Sequence, residues 1–220
     1  GANCAATALQ IFNGPMTPLA LTTYDTTVQQ MAVLPALAGA RFLAVRLGGR
    51  TRSLDRMQRE SIASCQSNGA LTVEVLDGDV ALDLWRNLAD FGWRPEALPT
   101  VAIRLSTLPA KTAVDLVVDT PLTGIRPAVV ADPGYGHASV FWYPESEEQQ
   151  LELSAAAMQL TLRQARASGG TAIVERCPPE LKSGMDVWGD VGEPLAIMRR
   201  LKGHYDPRGT LNPGRFVGGI

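Results

Sequence analysis

Val101-Ala102-Ile103-Arg104-Leu105-Ser106-Thr107-Leu108 alternates apolar side chains with small or polar ones. Successive residues of a strand point to opposite faces, so Val101, Ile103 and Leu105 share one face and Ala102, Arg104 and Ser106 the other. The stretch 41–47 repeats the pattern, with Leu43, Val45 and Leu47 opposed to Phe42, Ala44 and Arg46. So does 71–76, with Leu71, Val73 and Val75 opposed to Thr72 and Glu74. Strands of a parallel sheet are covered on both sides and read apolar throughout; strands with one apolar face belong to antiparallel sheets. The expected class is therefore α+β, a mainly antiparallel sheet with helices on one face.

The remaining elements are placed around these strands. Residues 1–18 read as an irregular entry segment and 19–220 as one domain. A strand at 19–24 leads into Asp25-Thr26-Thr27, which offers N-caps to a helix presenting Val28, Met31 and Ala32 and limited by Pro35. Thr51 or Ser53 caps a helix to about Ser67 that buries Leu54, Met57, Ile62 and Cys65. Val80, Leu84, Leu88 and Phe91 recur at helical spacing after Asp77-Gly78-Asp79. A short helix is expected at 111–118. Strands at 128–131 and 137–143 flank Asp132-Pro133-Gly134-Tyr135-Gly136 as a hairpin-like pair. The longest helix is expected at 145–168, with Leu151, Ala155, Met158, Leu162 and Ala165 along its stripe. Its acidic start (Glu145, Glu147, Glu148) and basic end (Arg163, Arg166) suit the helix dipole. A strand at 171–177, a loop through Trp188 and a helix at 193–202 complete the chain. This order favours ferredoxin-like packing, with two related halves as one form of it.

Composition narrows the function. With 220 residues, 45% hydrophobic and 19% charged, the chain can bury a sizeable core. A net charge of −2 gives no general attraction to nucleic acid or anionic membranes. No apolar run approaches the ~18–20 residues of a membrane span, and no signal peptide is visible, so no membrane insertion is expected. Cys4, Cys65 and Cys177 are widely spaced and lack a CxxC pair, which suits a reducing cytoplasm. With only His137 and His204 besides, no metal site is expected.

Near the end stands Lys202-Gly203-His204-Tyr205-Asp206-Pro207-Arg208-Gly209-Thr210-Leu211-Asn212-Pro213-Gly214-Arg215-Phe216. A helix burying Leu195, Met198 and Leu201 is expected to end on Gly203 as its C-cap. Two proline turns follow, in which Asp206 and Asn212, each preceding a proline, are expected to be extended. Turn chemistry alone accounts for such a tail. A short helix leading into Tyr-Asp-Pro-x-Gly-x-Leu-Asn-Pro-Gly-Arg also resembles the terminus of FAD-linked oxidases of the vanillyl-alcohol-oxidase type. Within them it is most similar to the FAD-binding subunit of bacterial glycolate oxidase. The resemblance covers most of the chain, and it implies a C-terminal domain that caps the flavin and lines the substrate pocket. By that resemblance Asn212 lies beside the isoalloxazine ring, and Arg215 contacts the flavin or a neighbouring domain.

The second face of the sheet, with Ala44, Arg46, Thr72, Glu74, Ala102, Arg104, Ser106, His137 and Ser139, has two readings. It is either solvated or set over a flat, anion-bearing ligand. A 2-hydroxy acid needs a guanidinium for its carboxylate and a base for its hydroxyl proton, with hydride acceptance at the flavin. Arg104 is the first carboxylate candidate and Arg46 the second. His137 is the candidate base, because an imidazole titrates near neutral pH. Glu175 either borders the flavin or forms an ion pair within the sheet. Trp142 and Trp188 are candidates for stacking on substrate, with core or lid packing as the plainer role.

Family members bind FAD mainly through an N-terminal domain with a phosphate-cradling glycine loop. No G-x-G-x-x-G follows a strand here. The expected partners are therefore an FAD-binding domain or subunit outside this chain, an iron–sulfur subunit of the parent complex, and a small 2-hydroxy acid. Isolated, the chain is expected to bind FAD poorly and turn nothing over. The alternative from another class is a non-enzymatic ferredoxin-like module for ligand binding or subunit assembly. A second flavin-linked alternative changes the substrate to lactate, an aldonolactone or an aromatic alcohol.

Overall fold

The computed structural model describes residues 2–109, 122, 124–144, 150–182, 184–189 and 191–220. Six strands form one antiparallel sheet: β1 (Ala20–Asp25), β2 (Arg41–Arg46), β3 (Val101–Ser106), β4 (Ala128–Asp132), β5 (His137–Trp142) and β6 (Thr171–Arg176). Their spatial order is β2-β1-β4-β5-β3-β6, and every pairing is antiparallel. The class is thus α+β, as the one-sided strands required.

One face carries the main core. Val101, Ile103 and Leu105 of β3 lie beside Val140 and Trp142 of β5 and Val129 of β4. Helix α5 (Gln150–Ala167) covers them with Ala157, Met158 and Ala165. Of the stripe read from the sequence, Met158 and Ala165 are buried, joined by Ser154, Ala157 and Thr161, while Leu151 stays 45% exposed. Ala and Thr at this contact let the helix approach closely, and Thr161 satisfies its hydroxyl by donating to the Ala157 carbonyl at 2.8 Å. The expected acidic start of this helix lies outside the described residues, as does the helix expected at 111–118.

Farther along the same face, α1 (Ala2–Phe12) and α3 (Thr51–Ser67) pack on β1 and β2 through Ala8, Ile11, Leu21, Leu43, Val45 and Met57. The entry segment is therefore not irregular. Ala, Leu and Gln dominate residues 2–12, and these are strong helix formers that needed only an apolar floor to settle on. Arg50 occupies the N-cap of α3 without a side-chain bond, so neither Thr51 nor Ser53 caps it.

The opposite face is not bare. Tyr24 and Phe42 stack at 5.2 Å, and Phe141 meets Phe91 edge to face at 5.3 Å. Helices α2 (Thr26–Met31) and α4 (Gly78–Ala89) cover these rings with Val28, Leu84 and Leu88. Helices on one face describes α1, α3 and α5; the aromatic end of the second face calls for α2 and α4 as well. Asp25 caps α2 by accepting from the Val28 amide at 2.9 Å, and its other oxygen accepts from the Val129 amide at 2.8 Å.

The stretch 71–76 is no strand. It runs past the start of β2, the sheet edge, with a cavity between them and with Leu71 80% and Val75 58% exposed. Alternation says which side chains would share a face, but a strand also needs a partner within hydrogen-bonding reach. Two short helices, α6 (Pro179–Lys182) and α7 (Pro194–Tyr205), follow β6. Among the described residues no helix is long and apolar enough to cross a membrane.

Candidate functional site

Polar residues gather where α2 and α4 leave the second face open. The register places Asp132, His137, Ser106 and Thr171 in one row across β4, β5, β3 and β6. The next row holds Ser139 and Arg104 side by side. Arg104 Nε lies 3.0 Å from Glu175 Oε1, and both side chains remain partly open to solvent. Three residues singled out in the sequence, Arg104, His137 and Glu175, therefore share one region. Of the two uses read for Glu175, the ion pair is the one the geometry displays.

Arg46 is elsewhere. Four inter-strand steps separate β2 from β3, about 19 Å at the usual ~4.8 Å spacing. Its guanidinium sits 5.9 Å from the ring centroid of Trp85 on α4, a cation–π contact. One small carboxylate cannot reach both arginines.

Asp132 was not singled out from the sequence. Its Oδ1 accepts from the amides of Gly134 at 3.0 Å and Tyr135 at 3.3 Å, closing the hairpin turn. Burial pushes its carboxyl above the usual range, while those amides and neighbouring His137 pull the other way. The signal was in the string itself: an Asp ending one strand and a His beginning the next must face each other across the hairpin. Gly136 makes that hairpin possible, since its φ is +66° and an added Cβ would lie 2.0 Å from the Thr107 carbonyl oxygen.

The second candidate region is the C-terminal arm. α7 has no buried residue; Leu195 and Met198 are half-buried, and Leu201 is 52% exposed. The helix also runs through Gly203 to Tyr205, and its C-cap is Asp206, whose amide donates to the Lys202 carbonyl at 2.8 Å. The expected burial and glycine cap both fail because the arm packs on itself. Asp206 is its hub: it accepts from the amides of Thr210 and Leu211, each at 2.9 Å, and lies 2.7 Å from Lys202 Nζ. The Lys202 ammonium first, then the Leu211 amide, hold this carboxyl well below the usual range.

Between α7 and the tail opens a groove of about 630 Å³ lined by Met198, Leu201, Tyr205, Leu211, Asn212 and Phe216, with Arg215 also on its wall. Asn212 was expected to be extended; its φ is +47°. Asn is among the few side chains that tolerate the left-handed region, and such backbone is held only where its surroundings fix it. Trp188 anchors the tail, with its ring 5.3 Å from Phe216 and its indole N–H donating to the Arg215 carbonyl at 3.3 Å. Trp142, by contrast, is a core residue, 1% exposed. His204 stacks edge-on to Tyr205 at the surface.

For a flavin, this groove offers an apolar wall, one side-chain amide, the Arg215 guanidinium and the Lys202 ammonium, the last already engaged by Asp206 and the Leu211 carbonyl. That fits the edge of a flat ring better than a pyrophosphate. Among the described residues no three His, Cys, Asp or Glu side chains cluster as a metal site. Compared with models of known protein families and with curated proteins, the sequence matches none.

Proposed function

We propose that the chain is the substrate-capping domain of a flavin-dependent 2-hydroxy-acid oxidoreductase of the glycolate-oxidase kind, with FAD held mainly by another domain or subunit. The observation that carries this reading is the C-terminal arm. The tail that resembles the oxidases presents Asn212, in a left-handed conformation, on an apolar groove whose Leu201, Tyr205, Leu211 and Phe216 are all exposed. When bound, the flavin supplies the hydride acceptor. In this chain Asn212 would hydrogen-bond the ring edge and Arg215 would meet the flavin or the domain that carries it. Arg104 would bind the substrate carboxylate in exchange for Glu175, and His137, next to Asp132, would take the hydroxyl proton. An iron–sulfur subunit, as the resemblance implies, would complete the complex, with the cytoplasm as its site.

The test is flavin absorbance after mixing the chain with FAD, alone and together with a separately purified FAD-binding domain. Flavin retention and glycolate-dependent bleaching only in the mixture support the reading. A tight 1:1 yellow complex with the chain alone overturns the division of labour. No interaction in either case moves the assignment to a non-enzymatic ligand-binding or assembly module. The Arg104–Glu175 pair already favours that second reading for the sheet face, because its cation is balanced without a ligand.

A further inference from the structure

Cys4 and Cys65 stand sixty-odd positions apart in sequence, yet they line one cavity of about 270 Å³ beside the edge strand β2. Cys4 comes from α1 and Cys65 from the last turns of α3. The end of α3 is tied to α1 by Asn68 Nδ2, which donates to Gln10 Oε1 at 2.7 Å, and Ser61 Oγ of α3 lies 3.6 Å from Sδ of Met16 in the segment that follows α1. Both thiols are free and half-buried, whereas Cys177 lies buried in the main core. The charge of a Cys4 thiolate is felt at Cys65, where it adds to burial in pushing that thiol up. Burial pushes the Cys4 thiol up as well, with the Arg41 guanidinium, which lines the same cavity, pulling the other way.

We propose that Cys4 and Cys65 are a modification site, a dithiol that closes reversibly to a disulfide and staples α1 to α3. The oxidant is a low-molecular-weight disulfide such as oxidised glutathione. One protein thiolate attacks a glutathione sulfur and releases one glutathione thiol. The second protein thiolate then attacks the protein-bound sulfur and releases the other. The protein loses two hydrogens, the glutathione disulfide gains them, and one S–S bond replaces another. The helix α1 is the element affected, because its hold on the sheet rests on a few side chains, Ala8 and Ile11 against Leu21 and Phe12 edge-on to Tyr135. The proposal is independent of the flavin reading and uses none of its residues.

The experiment treats the full native chain with oxidised glutathione, blocks remaining thiols by alkylation, and maps the peptides by mass. The expected result is a Cys4–Cys65 cross-linked peptide with Cys177 alkylated, and a melting temperature higher by about 5 °C or more. A thiol reductant should reverse both. Glutathione left on either cysteine without a cross-link, thiols untouched after long exposure, or a cross-link containing Cys177 each overturns the proposal. Cys4→Ser should lose the rise in melting temperature on oxidation; a rise that persists in this variant also overturns it.

Discussion

The centre of the sheet and the C-terminal arm solve opposite problems. Around β3 and β5, Val101, Ile103, Leu105, Val140 and Trp142 are at most 1% exposed, and α5 supplies their cover from the same chain. Along α7 and the tail, Leu201, Tyr205, Leu211 and Phe216 stand 49–77% exposed, and order comes from a hydrogen-bonded carboxylate instead. Exposed apolar side chains gathered on one groove are the pattern of a surface that meets something else. The first region sets stability; the second contributes little to it and is free to serve binding.

Substitutions can break or sharpen this contrast. The largest effect is expected in the centre: Ile103→Ala should cost about 2–5 kcal/mol, read by denaturant unfolding, through lost burial plus a cavity. Gly136→Ala should come next, at about 1–3 kcal/mol, because the new Cβ meets the Thr107 carbonyl and φ is positive. A change near zero there would mean the hairpin is more pliant than its register implies.

In the arm, Asp206→Ala should leave the global transition nearly in place while amide exchange at Thr210 and Leu211 accelerates strongly. Acid should mimic it. A carboxyl held low in the folded state contributes order that is fully present above its unfolded value, near 4, and is lost as pH falls through the lower folded value. Protection of these two amides relative to unstructured chain should therefore hold at neutral pH and fall only in strong acid. If the arm unfolds together with the sheet, the contrast is wrong. Smaller still, Arg104→Ala should shift stability by about 1 kcal/mol or less, since its ion pair with Glu175 is partly solvated. Smallest, Leu201→Ala should stay within about 0.5 kcal/mol in the isolated chain. The same variant should weaken flavin retention in the mixture, which separates binding from folding.

Legibility followed the range of the interaction. Alternation in 101–108 and 41–47 was enough to find β3 and β2, their faces and the antiparallel class. The hairpin around Asp132 to Gly136 was legible because its partners are adjacent in sequence. The stretch 71–76 carried the same alternation and formed no strand, since α3 delivers it past the start of β2 with a cavity between the two. Helix α1 was passed over for the converse reason: its weak pattern becomes meaningful only against Leu21 and Leu43. For the candidate site, Arg104 and His137 were found one strand at a time and Asp132 was readable from the hairpin, but the separation of Arg46 needed the strand order.

By itself the sequence determined the class, most element positions and the tail motif, because periods of 2 and 3.6 and proline turns are local properties of the chain. Tertiary structure alone decided that Arg104 pairs with Glu175, that Arg46 lies over Trp85, and that Cys4 and Cys65 line one cavity. It also decided that Asn212 adopts a left-handed backbone on an open groove. Each of these joins residues distant in the chain or imposes a conformation that local preference opposes, and only the packing of the whole fold can do either.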